Sequence, residues 1–99
     1  MKRYPPLVHK IGALSHAFVV GSAATNKDSR DIDVVVPLKD WRRVAPQLPL
    51  KNGKCNSMGG WKLHIDGVEI DVWPDDPTRF LFKGPMRHIA SGTLYGEIK

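Results

Sequence analysis

The chain has a single cysteine, Cys55, in 99 residues, so it has neither an intramolecular disulfide framework nor a cysteine-rich zinc site. Long apolar runs are also missing. The longest, residues 17–21 and 34–37, fall far short of the ~20 residues that a membrane-spanning helix needs. There is no internal repeat and no low-complexity segment, which removes solenoids and compositional tails. Behind the basic start Met1-Lys2-Arg3, the pairs Pro5-Pro6 and His9-Lys10 interrupt any export-type apolar region. A reducing, cytoplasmic setting is therefore the expectation. Acidic residues are the minority charge: 10 Asp/Glu against 15 Lys/Arg leave a net charge of +5. That balance raises the local concentration of polyanions such as nucleotides or nucleic acid. What is present is ordinary for one soluble domain spanning residues 1–99: 41% hydrophobic and 25% charged residues, which excludes disorder.

Periodicity divides the chain into short elements. Leu7, Val8, Ile11 and Leu14 recur at helical spacing after Pro5-Pro6, and residues 17–20 read as a buried strand ended by Gly21. Ser22 opens a small polar segment with room for about one or two helical turns before Arg30. Residues 31–36 form a second strand, stopped by Pro37. Leu38, Trp41, Val44, Ala45 and Leu48 then mark a helix that Pro46 limits. A Gly/Asn/Lys-rich loop follows through about Asn56. Asp76 as N-cap and Pro77 at the first helical position open a short helix over residues 78–83. Residues 86–90 allow a helix, and residues 93–98 an edge strand or a tail.

The sharpest local signal is Asp66-Gly67 between two alternating runs, residues 61–65 and 68–72. A two-residue type I′ turn needs positive φ at both central positions, which Asp-Gly supplies. The register follows: Ile65 opposite Val68, His64 opposite Glu69, Leu63 opposite Ile70 and Lys62 opposite Asp71. Trp61, Leu63, Ile65, Val68, Ile70 and Val72 then share the core face. Lys62, His64, Glu69 and Asp71 take the other.

Asp31-Ile32-Asp33 departs from ordinary strand design. Alternation points both carboxylates to one face, about 6–7 Å apart, where they repel unless a cation lies between them. Mg²⁺ suits that role because it takes carboxylate and phosphate oxygens together. Asp71 is a third carboxylate on a strand whose other face is apolar, and three such groups from two strands describe a two-metal phosphoryl-transfer site. Gly21-Ser22, at the end of the preceding strand, lets backbone N–H groups approach phosphate and adds a hydroxyl donor.

Together, Ala17-Phe18-Val19-Val20-Gly21-Ser22, then Ser29-Arg30-Asp31-Ile32-Asp33-Val34-Val35-Val36, then Gly67-Val68-Glu69-Ile70-Asp71-Val72 resemble the nucleotidyltransferase superfamily in its minimal form. The likeness runs from about Phe18 to Trp73. It implies an α+β fold: a nucleotidyltransferase-like mixed β-sheet flanked by short helices. It also implies transfer of a nucleoside monophosphate from an NTP to a hydroxyl of a protein, RNA or small-molecule acceptor. By the same resemblance Asp31, Asp33 and Asp71 would be the catalytic residues and hold two Mg²⁺ ions, with Mn²⁺ as a substitute. Asp71 would also take the acceptor proton, and Gly21 and Ser22 would hold the β- and γ-phosphates. Arg30 and Lys62 are further candidates for nucleotide contact, although Lys62 is placed first as a cross-strand ion pair with Asp71. The segment between Ser22 and Asp31 is shorter than the family's usual helix, and the residues after Trp73 are too few for an accessory helical domain. A helical partner chain or the acceptor itself is then expected to complete the site. The alternative reading is a catalytically inactive basic module of the same fold that engages nucleic acid or a protein. His9, His16 and His88 lack metal-ligand spacing, His64 and Glu69 form a surface pair, and Cys55 has no catalytic context.

Overall fold

The computed structural model describes residues 3–49, 54–55, 60–80 and 84–96. Among these residues, seven strands make one sheet in the order β3-β4-β5-β2-β1-β6-β7: β1 (Phe18–Val20), β2 (Asp31–Pro37), β3 (Lys54–Cys55), β4 (Trp61–Ile65), β5 (Val68–Asp75), β6 (Met86–His88) and β7 (Leu94–Tyr95). β2 and β5 run parallel and the other neighbours antiparallel, so the sheet is mixed. Helices α1 (Pro6–Leu14) and α2 (Leu38–Val44) complete an α+β fold.

Alternation decides which face is covered. Ile32, Val34 and Val36 of β2 and Ile70 and Val72 of β5 are fully buried, and they pack with Val8 and Ile11 of α1 and Val44 of α2. α2 starts directly after Pro37, whose fixed φ ends the strand without a gap. Its Asp40 is buried but satisfied: Arg43 holds one oxygen at 2.8 Å, and the His16 backbone N–H donates to the other at 3.3 Å. Arg43 also donates to the Leu14 carbonyl at 2.8 Å, which ties α1 to α2.

The hairpin matches the expected register residue for residue, with Asp66 at φ 50° and Gly67 at φ 79°. Asp76 caps the next turn, a 3₁₀ segment over Pro77–Phe80, by accepting from the Thr78 N–H at 3.0 Å and its hydroxyl at 2.8 Å. Residues 81–83, to which the helix was expected to extend, lie outside the described residues. Two expectations need correction. Residues 86–90 are not a helix: Met86–His88 is a strand paired to β1, with Phe18 opposite His88. Within the expected loop, Lys54–Cys55 pairs with β4.

Gly12 faces Ile89 so closely that an added Cβ would lie 2.7 Å from the Ile89 Cβ. Gly12→Ala gains up to about 1 kcal/mol of helix propensity, but the overlap costs typically ~1–3 kcal/mol. Urea unfolding is expected to show net destabilisation.

Candidate active site

The parallel pairing of β2 with β5 builds the site. It sets Asp31 beside Glu69 and Asp33 beside Asp71, and alternation turns all four carboxylates to the face opposite α1 and α2. One oxygen each from Asp31, Glu69 and Asp71 lies within 4.8 Å of the others. Two of the three expected acids, Asp31 and Asp71, fall in this group, Asp33 lies beside Asp71 in the ladder without joining it, and Glu69, which the sequence analysis placed only in a surface pair, takes the third place. The signal for Glu69 was present: it lies two residues before Asp71 on the same strand face. Its proximity to Asp31 depends on a parallel register that neither strand's own pattern contains.

Asp71 is only 7% exposed, and its Oδ1 is buried with no hydrogen-bond partner. Burial first, and the neighbouring Asp33 carboxylate second, push its carboxyl up to about 6, while Lys62 pulls the other way. Asp33 is also raised, by burial and then by Asp31. Hydrogen bonding from the Trp73 indole and the Asp71 carboxyl offsets part of that rise. Two carboxyls abreast in neighbouring strands thus each hold a proton more readily than an exposed carboxylate does. A buried, unpaired carboxylate oxygen is costly. The Asp71 carboxyl lies with those of Asp31 and Glu69 in a group that suits a hard divalent cation.

Gly21 and Ser22 stand beside this cluster. Val20 is opposite Asp33 in the β1–β2 ladder, and Gly21 then turns at φ 72°, a left-handed conformation that glycine takes without strain. A 3₁₀ turn over Gly21–Ala24 follows, in place of a longer helix, with Ser22 exposed on it. Behind the turn, the Tyr4 hydroxyl donates to the Ala23 carbonyl at 2.6 Å and Arg87 donates to the Ala24 carbonyl at 2.8 Å. Those bonds fix the turn from two distant parts of the chain.

Lys62 lies opposite Asp71, as expected, but its ion pair is with Glu69, diagonally across the hairpin at 3.5 Å. That corrects the direct pairing with Asp71. His64 reaches the other Glu69 oxygen at 3.5 Å. Arg30 is exposed at the head of β2, and its carbonyl accepts from the Glu69 N–H at 2.7 Å, which extends the β2–β5 ladder.

A mixed sheet bearing paired acidic strands beside a glycine-serine turn defines a phosphoryl-transfer class of protein. The chain matches the nucleotidyltransferase domain family over residues 8–92 and belongs to it. The general activity of that class is transfer of a nucleoside monophosphate, with a nucleotide as substrate. Neither a curated protein nor a solved structure matches the chain. Among the described residues, no helix is long and apolar enough to cross a membrane.

Proposed function

We propose that the protein is a divalent-metal-dependent nucleotidyltransferase that moves a nucleoside monophosphate from an NTP to an acceptor hydroxyl. The observation that carries this reading is the β2–β5 register, which sets Asp31 beside Glu69 and Asp33 beside Asp71, the residue whose Oδ1 is buried without a partner. Asp31, Glu69 and Asp71, with Asp33 beside Asp71, would hold Mg²⁺ or Mn²⁺, which when bound supplies charge neutralisation at the phosphates.

The chain's own residues do the rest. The turn at Gly21 presents backbone N–H groups, and Ser22 its hydroxyl, to the β- and γ-phosphates. Asp71 takes the proton of the incoming hydroxyl. Asp33 accepts from Trp73 and so keeps its place beside Asp71. Lys62 limits the repulsion among the carboxylates through Glu69, and exposed Arg30 adds positive charge at the mouth. Catalysis of this kind is mostly positioning and electrostatics, which a small sheet can supply.

The test is incubation with each α-labelled NTP, Mg²⁺ and candidate acceptors. Wild type is expected to transfer label, EDTA to stop it, and Ser22→Ala to raise the KM for NTP about tenfold, the loss of one hydrogen bond to a charged group. Equal inactivity of wild type and Asp33→Asn, with partner binding intact, would make the chain a binding module instead.

A further inference from the structure

A groove of about 550 Å³ opens on the same sheet face as the carboxylates, toward the other end of the strands. Alternation and register place Asp33, Val20, Phe18, Met86 and Tyr95 on that one face. Phe18, Met86 and Tyr95 line the groove, with Leu38 at its side. Leu38 is 63% and Tyr95 45% exposed, the large apolar side chains left exposed among the described residues, and both belong to this groove. From Asp33 to Phe18 is two residues along and one strand across, about 8 Å by sheet spacing. β1 therefore has the Gly21–Ser22 turn at one end, level with Asp31 and Glu69, and the groove at the other, with Asp33 and Asp71 level with Val20 between them.

We propose that this groove seats the acceptor, and that the acceptor is a small, uncharged, aromatic molecule bearing a hydroxyl. The inference rests on the nucleotidyl-transfer reading above. In such a displacement the attacking and leaving oxygens lie roughly in line across the phosphorus. With pyrophosphate leaving on the Gly21–Ser22 side, the nucleophile enters from the opposite side, where the groove opens. The acceptor oxygen forms its bond to the α-phosphorus as the bond from that phosphorus to the bridging oxygen breaks. Pyrophosphate leaves with the electron pair, and the hydroxyl proton passes to the Asp71 carboxylate.

The walls select the class. The volume is that of a small-molecule site, and aromatic and aliphatic side chains dominate it. Its charged lining residues, Lys39 and Asp76, offset one another, so the groove complements a neutral ligand. A nucleic-acid strand would bring phosphates against Phe18, Leu38 and Met86 and toward an acidic cluster. A polyamine or polyol would bury donors against the same apolar walls without partners, which is costly. An aromatic ring instead finds the faces and edges of Phe18 and Tyr95, already in mutual edge contact at 6.0 Å.

The test uses 2-naphthol as probe, followed by ¹H–¹⁵N and methyl NMR of the full chain. Shifts are expected at Phe18, Leu38, Tyr95 and the Met86 methyl, and Leu38→Asp is expected to weaken binding at least tenfold. Leu38 is exposed at the first position of α2, where an aspartate suits the helix start, so that variant folds. In the second arm, α-label is expected on 2-naphthol, with at least a tenfold drop in transfer for Leu38→Asp. Equal affinity in wild type and Leu38→Asp, or shifts outside the groove, would overturn the assignment. So would occupation of the groove by an apolar peptide, or by a second copy of the chain, where 2-naphthol does not bind. Label reaching RNA or protein with Leu38→Asp fully active would remove the groove's role and leave nucleotidyl transfer standing. Absence of label on every acceptor would instead remove the transfer reading, and the acceptor role with it.

Discussion

Asp71→Asn is expected to lower nucleotidyl transfer by about a thousandfold or more while making the metal-free domain more stable. The loss follows from two roles on one side chain: proton acceptor, worth roughly 10²–10⁴ in rate, and donor to the divalent cation. The gain follows from burial. Asp71 is 7% exposed, its Oδ1 has no partner, and Asp33 lies abreast of it. Asparagine has the same shape without the charge, and its amide can donate to Asp33. Removing an unpaired buried polar charge is worth on the order of 1–3 kcal/mol. Urea unfolding in EDTA together with a label-transfer assay measures both effects. Loss of stability alongside loss of activity would mean that Asp71 holds the fold together, and the proposed role would fall.

In EDTA the domain is also expected to gain stability as the pH falls from about 7 to about 4. The Asp71 carboxyl sits at about 6 in the folded protein and near 3.9 in an unfolded chain. Between those values the folded form holds a proton that the unfolded form has released, so lowering the pH favours folding. At about 1.4 kcal/mol per pH unit the gain approaches roughly 3 kcal/mol, and Asp33, raised in the same direction, adds to it. Asp76 is lowered by its bonds to Thr78 and works oppositely, but only at more acidic pH. Saturating Mg²⁺ is expected to flatten or reverse the slope, because cation and proton compete for one oxygen. Accordingly, Mg²⁺ affinity should fall as the pH drops through about 6. A flat EDTA profile between pH 4.5 and 7, read from urea midpoints, would mean an ionised and partnered Asp71.

Legibility from sequence tracked how local the determining physics is. Asp66-Gly67 fixes its own turn through backbone conformation, so the hairpin register could be read to the residue. The apolar alternation of residues 31–36 likewise gave β2 and the shared direction of Asp31 and Asp33. β6 was not legible. Three residues carry no usable period, and Met86–His88 is a strand because β1 offers it an edge to pair with. The same holds for Lys54–Cys55 against β4. In the site, Asp31, Asp33 and Asp71 were legible from type and face. Glu69 was not, since only the parallel neighbour of β2 shows that it sits beside Asp31. The diagonal reach of Lys62 to Glu69 rather than Asp71 is a rotamer outcome that strand register leaves open.

The pairing of residues 31–37 with 69–75 has a consequence for how the protein comes into being. While the chain is being synthesised, half of the acid cluster leaves the ribosome well before the other half exists. Helix α2 and strands β3 and β4 lie between the two strands in the chain, and pairings so distant in sequence are slow to nucleate. A nascent or clipped chain ending before β5 therefore carries Asp31 and Asp33 without Glu69 and Asp71 beside them.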